Sequence, residues 1–99
     1  MNISTYFPPE LLKRLEDDIT LRKLGSGSLV AYVRGISKLC DYLQRSPENI
    51  TAEDLRLFQL HLVNIGTTGQ TINVTLTALR FLYNITLDIE TNVTASLAL

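Results

Sequence analysis

The chain has 99 residues, of which 45% are hydrophobic, and nine basic and ten acidic side chains give it a net charge of −1. This length and composition predict one globular domain with a modest core, and they exclude both a second domain and intrinsic disorder. Because no run of 18 apolar residues is present and the N-terminus lacks a signal-peptide pattern, we expect a cytoplasmic protein with no membrane contact.

The first predicted helix covers about residues 9–21 and follows a loose lead-in at residues 1–8. Proline is tolerated in the first turn of a helix, so Pro8 and Pro9 suit a helix start. Four apolar side chains then lie on one face: Leu11, Leu12, Leu15 and Ile19. The segment is amphipathic and mixed in charge, which is typical of a packing helix.

The second predicted helix covers about residues 28–44. It follows a Gly-Ser-Gly-Ser break in which Ser26 or Ser28 is expected to accept a backbone N–H as the cap. Its inward stripe contains Leu29, Val33, Ile36, Cys40 and Leu43. Cys40 is the single cysteine of the chain, so an internal disulfide is excluded and a buried structural thiol is expected.

Basic side chains concentrate around this second helix. Residues 22–45 carry five bases and one acid, a net charge of +4 within an otherwise acidic chain. Such a patch selects partners more strongly than the total charge does. Arg34 and Lys38 lie opposite the apolar stripe, where they either contact phosphates or form an ordinary solvated face. Gly35 costs helix propensity, which indicates a close neighbour, either protein backbone or nucleic acid.

The third predicted helix covers about residues 52–65. Thr51 and Asp54 have the spacing of a capping box, and Gly66 is placed to end the helix in the left-handed conformation. The expected core face is Leu55, Phe58, Leu62 and Ile65. Leu57 and Leu60 fall off that stripe, which predicts burial of this helix on more than one side.

The fourth predicted helix, at about residues 70–84, has two faces of different chemistry. An apolar stripe contains Ile72, Leu76, Leu79 and Tyr83, with Leu82 beside it. A second stripe contains hydrogen-bond donors and no acid: Gln70, Asn73, Thr77, Arg80 and Asn84. Donors without acids suit phosphate oxygens and base edges. The alternative is a polar surface helix that is rich in Thr and Asn.

The sequence thus predicts an all-α fold, a compact four-helix bundle whose core includes Leu29, Val33, Ile36, Leu55, Phe58, Leu62, Leu76 and Leu79. No segment before residue 84 has the sustained alternation of a strand. After Asn84 the helical pattern ends, and although a short strand is possible there, a linker is favoured. We expect residues 88–99 to form a flexible C-terminal tail.

Three segments in order carry a resemblance to a known family. They are Ser28, Tyr32 and Arg34 on one helix, the Ser-Pro-x-x-Ile-Thr-x-Glu-Asp-Leu sequence at residues 46–55, and the Thr-Ile-Asn-x-x-Leu-x-Ala-Leu-Arg-Phe-x-Tyr sequence at residues 71–83. Over about residues 21–87 the chain resembles the N-terminal core-binding domain of phage integrases, the SAM-like domain of the tyrosine recombinase family. Residues 9–87 would then form this domain, and residues 88–99 a linker toward a catalytic domain.

The resemblance implies a DNA-binding domain that grips one side of a recombination site on double-stranded DNA. It also implies other recombinase protomers as partners in a synaptic complex. The helices at 28–44 and 70–84 would face the DNA. The expected DNA-binding residues are Arg22, Lys23, Ser28, Arg34, Lys38, Gln70, Thr71, Asn73, Thr77 and Arg80. Gly27, Val30 and Val74 depart from the family, which often has polar or basic residues there, and the departures weaken the expected grip on phosphates.

The chain by itself is not expected to be an enzyme. The family's catalytic arginines, lysine, histidines and nucleophilic tyrosine belong to the C-terminal domain. The single histidine, His61, lacks the His-x-x-Arg pattern, and Tyr32 and Tyr83 lie in apolar stripes. With one cysteine and no glycine-rich phosphate loop, no metal site, cofactor or small-molecule substrate is predicted.

The alternative is a SAM-like module for protein interaction or oligomerisation, in which acidic faces of the first and third helices meet a basic partner. The two interpretations differ in one geometric requirement. DNA binding needs the donor stripe of the fourth helix to be contiguous with Arg34 and Lys38, whereas placement on opposite sides of the bundle favours protein interaction.

Overall fold

A computed structural model describes residues 3–88 of the chain. Its helices are α1 (Pro9–Leu21), α2 (Ser26–Leu43), α3 (Ala52–Asn64) and α4 (Gly69–Phe81), and a π-helical turn (Leu82–Thr86) continues α4. No strand occurs within residues 3–88, so the predicted all-α fold of four helices is confirmed. Apart from Asp88, the tail predicted at residues 88–99 lies outside the described residues.

Helices α2 and α4 pack closely against each other at Gly35. A Cβ atom added there would lie 3.3 Å from the Cα of Thr75 and 3.4 Å from the Cβ of Ala78. The close neighbour predicted at Gly35 is therefore the backbone of α4. Because the two helices approach this closely, their outward faces form one continuous surface.

The core is apolar and receives side chains from every helix. Seven of the eight predicted core residues are buried, but Leu29 is only half-buried because it lies in the first turn of α2, beside an exposed loop. Burial extends to residues that were not predicted, above all Phe7 ahead of α1 and Ala78 on α4. The side of α4 that faces away from this core is therefore left for solvent or a ligand.

Local sequence signals set both ends of α3 as predicted. The N–H of Asp54 donates to Thr51 Oγ1 at 3.1 Å, and the N–H of Thr51 donates to Asp54 Oδ2 at 3.1 Å. Gly66 follows the helix with φ +81°, and the N–H of Thr67 donates back to the carbonyl of Leu62. This is a capping box followed by a Schellman motif.

The start of α2 differs from the prediction. The helix begins at Ser26 rather than Ser28, and its N-cap is Gly25, which has no side chain to offer. The carbonyl of Gly25 accepts the N–H groups of Ser28 and Leu29 at 3.0 and 3.3 Å. Both serines that were expected to cap the helix therefore lie within its first turn.

The end of α4 also differs from the prediction. The α-helical part stops at Phe81, and the chain continues through the π-helical turn, closed by the N–H of Leu87 on the carbonyl of Leu82 at 2.8 Å. Tyr83 donates its hydroxyl to the carbonyl of Pro47 at 2.7 Å, and Arg14 Nη2 donates to the carbonyl of Thr86 at 2.6 Å. These long-range bonds hold residues 82–86, so a linker does not begin at Asn84.

The N-terminal segment is packed rather than loose. Ser4 and Phe7 are both buried. The Ser4 hydroxyl donates to Asp41 Oδ1 at 2.5 Å, and the Ser4 N–H donates to Ser37 Oγ at 3.2 Å. The segment before α1 therefore lies against α2.

The outward face of α3 is apolar and exposed. Leu57, Leu60, Val63 and Ile65 are 38–62% exposed, so the prediction of a second buried side on this helix is wrong, as is the placement of Ile65 in the core. None of the helices within residues 3–88 combines the length and the apolar character needed to cross a bilayer.

Candidate nucleic-acid interface

The outward faces of α2 and α4 form a groove made of two adjoining hollows, which we call the α2–α4 groove. The first hollow, of about 210 Å³, contains Arg34, Lys38, Gln70 and Thr71 in its wall. The second, of about 340 Å³, is walled by Gly27, Ser28, Tyr32, Asn73 and Thr77. Ala31 and Val74 line both hollows, which makes the groove continuous.

Helical spacing explains why these side chains converge. On α2, Arg34 and Lys38 are four residues apart and share one exposed face. On α4, Gln70, Asn73 and Thr77 recur at intervals of three and four and are all exposed. Seven of the ten predicted DNA-contacting residues line the groove, and the first three residues of the donor stripe, Gln70, Asn73 and Thr77, are contiguous with Arg34 and Lys38, whereas Arg80 and Asn84 line neither hollow. This arrangement is the one that DNA binding requires.

The groove contains two cations that no acid pairs with in the described part of the chain, although Asp41 shares a neighbouring hollow with Lys38. Among residues 3–88, Arg34 and Lys38 form no ion pair, and no Asp or Glu lines either hollow. Elsewhere in the basic segment, Arg45 lies 2.9 Å from Asp54 Oδ2, and Arg22 lies 3.8 Å from Asp18 Oδ1. Only part of the +4 charge of residues 22–45 is therefore available to an anionic ligand.

Three predicted residues lie outside the hollows. The guanidinium of Arg22 is 5.7 Å from the ring centre of Phe81, which is itself 5.2 Å from the ring of Tyr32. The ring of Phe81 thus connects Arg22 to Tyr32, which lines the second hollow. Lys23 follows it and is exposed, with φ 57°. Arg80 is half-buried and lines neither hollow.

The threonines of α4 offer fewer free donors than their sequence positions suggest. Thr77 Oγ1 donates to the carbonyl of Asn73 at 2.9 Å, so its proton is used within the helix. Thr71 Oγ1 accepts the hydroxyl proton of Thr68 at 3.0 Å and keeps its own proton free, and Thr68 caps α4 by accepting the N–H of Thr71. The exposed amides of Gln70 and Asn73 are therefore the principal donors that α4 presents in the groove.

Small and apolar residues complete the groove and were not among the predicted site residues. Gly27, Ala31 and Gly35 recur every four residues along α2, and each borders the groove. This spacing was readable in the sequence and is typical of close helix packing, because small side chains let a neighbouring backbone approach. The close approach occurs at Gly35, whereas a Cβ at Gly27 would meet nothing within 4 Å. Val74 stood out in the sequence only as a departure from the polar or basic residues of the family, whereas its exposed place at the centre of the groove follows from the fold.

The two most reactive buried side chains are not poised for nucleophilic chemistry. Burial raises the pKa of the Cys40 thiol from 9.0 to about 12. Burial also raises the pKa of the Tyr83 hydroxyl well above its usual value of 10.0. Both groups are therefore protonated at neutral pH. Within residues 3–88, no three His, Cys, Asp or Glu side chains are clustered so as to hold a metal ion.

Comparisons with known proteins agree with this architecture. Residues 11–92 match the family described as "Phage integrase, N-terminal SAM-like domain". A protein of Sinorhizobium fredii (strain NBRC 101917 / NGR234), named "Putative integrase/recombinase y4qK", is 27% identical over 79 residues. That alignment covers 79% of this chain and 26% of the relative, so the chain spans about a quarter of its length. No solved structure gives a significant match. The chain belongs to the family of phage integrase N-terminal SAM-like domains.

Proposed function

We propose that this domain binds double-stranded DNA through the α2–α4 groove and grips one side of a recombination site for a tyrosine recombinase. The observation that carries the proposal is the juxtaposition, in one acid-free groove, of the unpaired cations Arg34 and Lys38 with the exposed amides of Gln70 and Asn73. Cations bind phosphate oxygens, and amides pair with base edges. Membership of the integrase family supports the same partner.

The two helices would divide the work. Arg34 and Lys38 on α2 hold phosphates and carry no sequence information. The major groove admits an α-helix, so α4 would enter it with Gln70 and Asn73 toward the base edges. Ser28 lies in the first turn of α2, where backbone N–H groups and the helix dipole favour a phosphate.

The remaining predicted residues would have secondary roles. Arg22 and Lys23 would extend the phosphate contacts beyond the second hollow, at some cost to the contact of Arg22 with Asp18. Thr77 would contribute shape and an acceptor oxygen, since its hydroxyl proton is bonded within the helix, whereas Thr71 accepts from Thr68 and would keep its proton for a phosphate oxygen. Arg80 would contribute only by changing its half-buried position.

DNA strand breakage and rejoining would belong to another part of the parent recombinase, and this domain would be non-catalytic. The chain spans about a quarter of its relative, which leaves room for a catalytic domain in a protein of that length. We propose no metal, cofactor or small-molecule substrate for the domain itself, and a cytoplasmic location in which it meets DNA and other recombinase protomers.

The test is a fluorescence anisotropy titration of the 99-residue chain with a labelled 20-base-pair duplex at several salt concentrations. The two groove cations, with or without Arg22 and Lys23 outside the hollows, predict a slope of log K against log salt between about −2 and −4, at roughly −0.9 per phosphate. Arg34→Ala should weaken binding and reduce the slope by about one, whereas Arg56→Ala, the matched change at an exposed ion pair on α3, should have little effect. Salt-independent binding, or none at low salt, would contradict the proposal.

A second candidate function is self-association through α3. The observation that favours it is the run of exposed apolar side chains at Leu57, Leu60, Val63 and Ile65. Sedimentation velocity at increasing concentration tests it, with Leu60→Gln as the disrupting variant. A dimer that Leu60→Gln dissolves, in a chain that fails to bind DNA, would favour the protein-interaction function over the DNA-binding one.

A further inference from the structure

Val74 is an exposed apolar residue at the centre of a polar groove. It is 42% exposed, and it is one of only two residues that line both hollows. Gln70 precedes it by one helical turn, Asn73 adjoins it, and Thr77 follows three residues later. The amides that would meet base edges thus flank an isopropyl group on the same face of α4.

The chemistry of this cluster matches one kind of base pair. In the major groove, adenine presents the N7 acceptor and N6 donor that a Gln or Asn amide pairs with bidentately, and thymine presents a C5-methyl group that apolar side chains contact. A G·C pair offers no methyl group there. Thr77 donates its hydroxyl proton to the carbonyl of Asn73, so the Thr77 hydroxyl has no proton left to donate to an acceptor on a base.

We propose that α4 favours A·T base pairs, with Val74 contacting the thymine C5-methyl group while Gln70 or Asn73 pairs with adenine. This inference rests on the proposed DNA-binding function and goes beyond it by naming the class of sequence that the domain prefers and the residue that senses thymine. Val74 would be a specificity-determining residue, whereas Arg34 and Lys38 would bind any sequence.

The experiment compares duplexes that differ only in the methyl group. The probes are a labelled 20-base-pair alternating A·T duplex, in which every register presents thymine methyls, and the same duplex with deoxyuridine replacing every thymidine. Removing a methyl contact should weaken binding of the wild-type chain about fourfold, from roughly 0.8 kcal/mol per buried CH₂ group. Val74→Ala should bind the two duplexes with a ratio near one.

Two controls separate a direct contact from an effect of the methyl group on the duplex itself. Lys13→Ala, on the distant α1, should keep the fourfold ratio. At least one of Gln70→Ala and Asn73→Ala should lower the preference for the thymidine duplex over a G·C duplex of equal length while keeping the thymidine-to-deoxyuridine ratio. Thermal melts of each variant confirm that it is folded; Val74 is exposed, so its truncation should leave the melting temperature nearly unchanged.

The outcomes distinguish this inference from the function on which it rests. Salt-sensitive binding with equal affinity for both duplexes would overturn thymine sensing by Val74 and leave the DNA-binding function standing. A methyl preference that survives in Val74→Ala would also overturn it, because the duplex and not the side chain would then be its source. Absence of binding to every duplex at low salt would overturn both proposals.

Discussion

A comparison of the α2–α4 groove with the outward face of α3 shows that ion pairing determines whether a surface with basic residues can bind an anion. In the groove, Arg34 and Lys38 have no ion-pair partner among residues 3–88. On α3, Arg56 and Glu53 neutralise each other at 2.6 Å. The first surface is left with positive charge and free donors, and the second with apolar side chains. A net charge of −1 describes neither surface, which is why a nearly neutral chain can still present a site for an anion.

The largest expected effect tests which residues lie beneath these surfaces. Leu79 on α4 is fully buried in the core, so Leu79→Ala should lower the free energy of unfolding by roughly 2–5 kcal/mol, a loss of apolar burial plus a cavity. Leu60 on α3 is 48% exposed, and Leu60→Ala should change stability by no more than about 0.5 kcal/mol. Chemical denaturation measures both. Equal losses would mean that the assigned faces are wrong.

The next effect tests the contact that makes the groove continuous. Gly35→Leu would drive a side chain into the backbone of α4 at Thr75, and overpacking of this kind costs about 1–3 kcal/mol despite the better helix propensity of Leu. A Cβ at Gly27 meets nothing within 4 Å, so Gly27→Leu should be neutral or stabilising by up to about 1 kcal/mol. The melting temperatures of the two variants measure this difference. A Gly35→Leu variant as stable as the wild-type chain would show that α2 and α4 need not approach so closely.

The last expected effect concerns DNA affinity rather than stability, and it separates the role of α2 from that of α4 within the groove. Lys38→Ala should weaken binding to all duplexes alike and reduce the salt slope by about one, whereas Asn73→Ala should leave the slope nearly intact. Within a full-length recombinase, Asn73→Ala should relax the preference at one base pair by roughly 1–3 kcal/mol. Anisotropy titrations of both variants provide the measurement. If both variants lose the same affinity on every sequence, α4 contacts only the DNA backbone.

Much of the fold was predictable because its signals are local. The capping box at Thr51 and the left-handed Gly66 depend on residues within a few positions, and the apolar stripes of α1 and α4 repeat at helical spacing. The π-helical turn was not predictable, since it is held by Tyr83 bonding to Pro47 and by Arg14 bonding to Thr86, far apart in sequence. The buried N-terminal segment was missed for the same reason.

The site was predictable only as separate faces. Each of α2 and α4 could be given a polar stripe from its own sequence, but their contiguity depends on how the helices pack at Gly35. Likewise, the pairing of Arg45 with Asp54 crosses the α2–α3 link, so the sequence alone overstates the available charge. The half-burial of Arg80 follows from packing around the end of α4, which helical periodicity did not specify.

The most direct test of the account is a map of backbone amide chemical shifts of the ¹⁵N-labelled 99-residue chain titrated with duplex DNA at low salt. We predict that the perturbed amides lie along one surface, from Ser28 to Lys38 on α2 and from Gln70 to Thr77 on α4, and that the shifts disappear as salt is raised. Perturbations confined to α3 between Leu57 and Ile65, or spread evenly over the domain, would contradict the assignment of the α2–α4 groove as the DNA-binding surface.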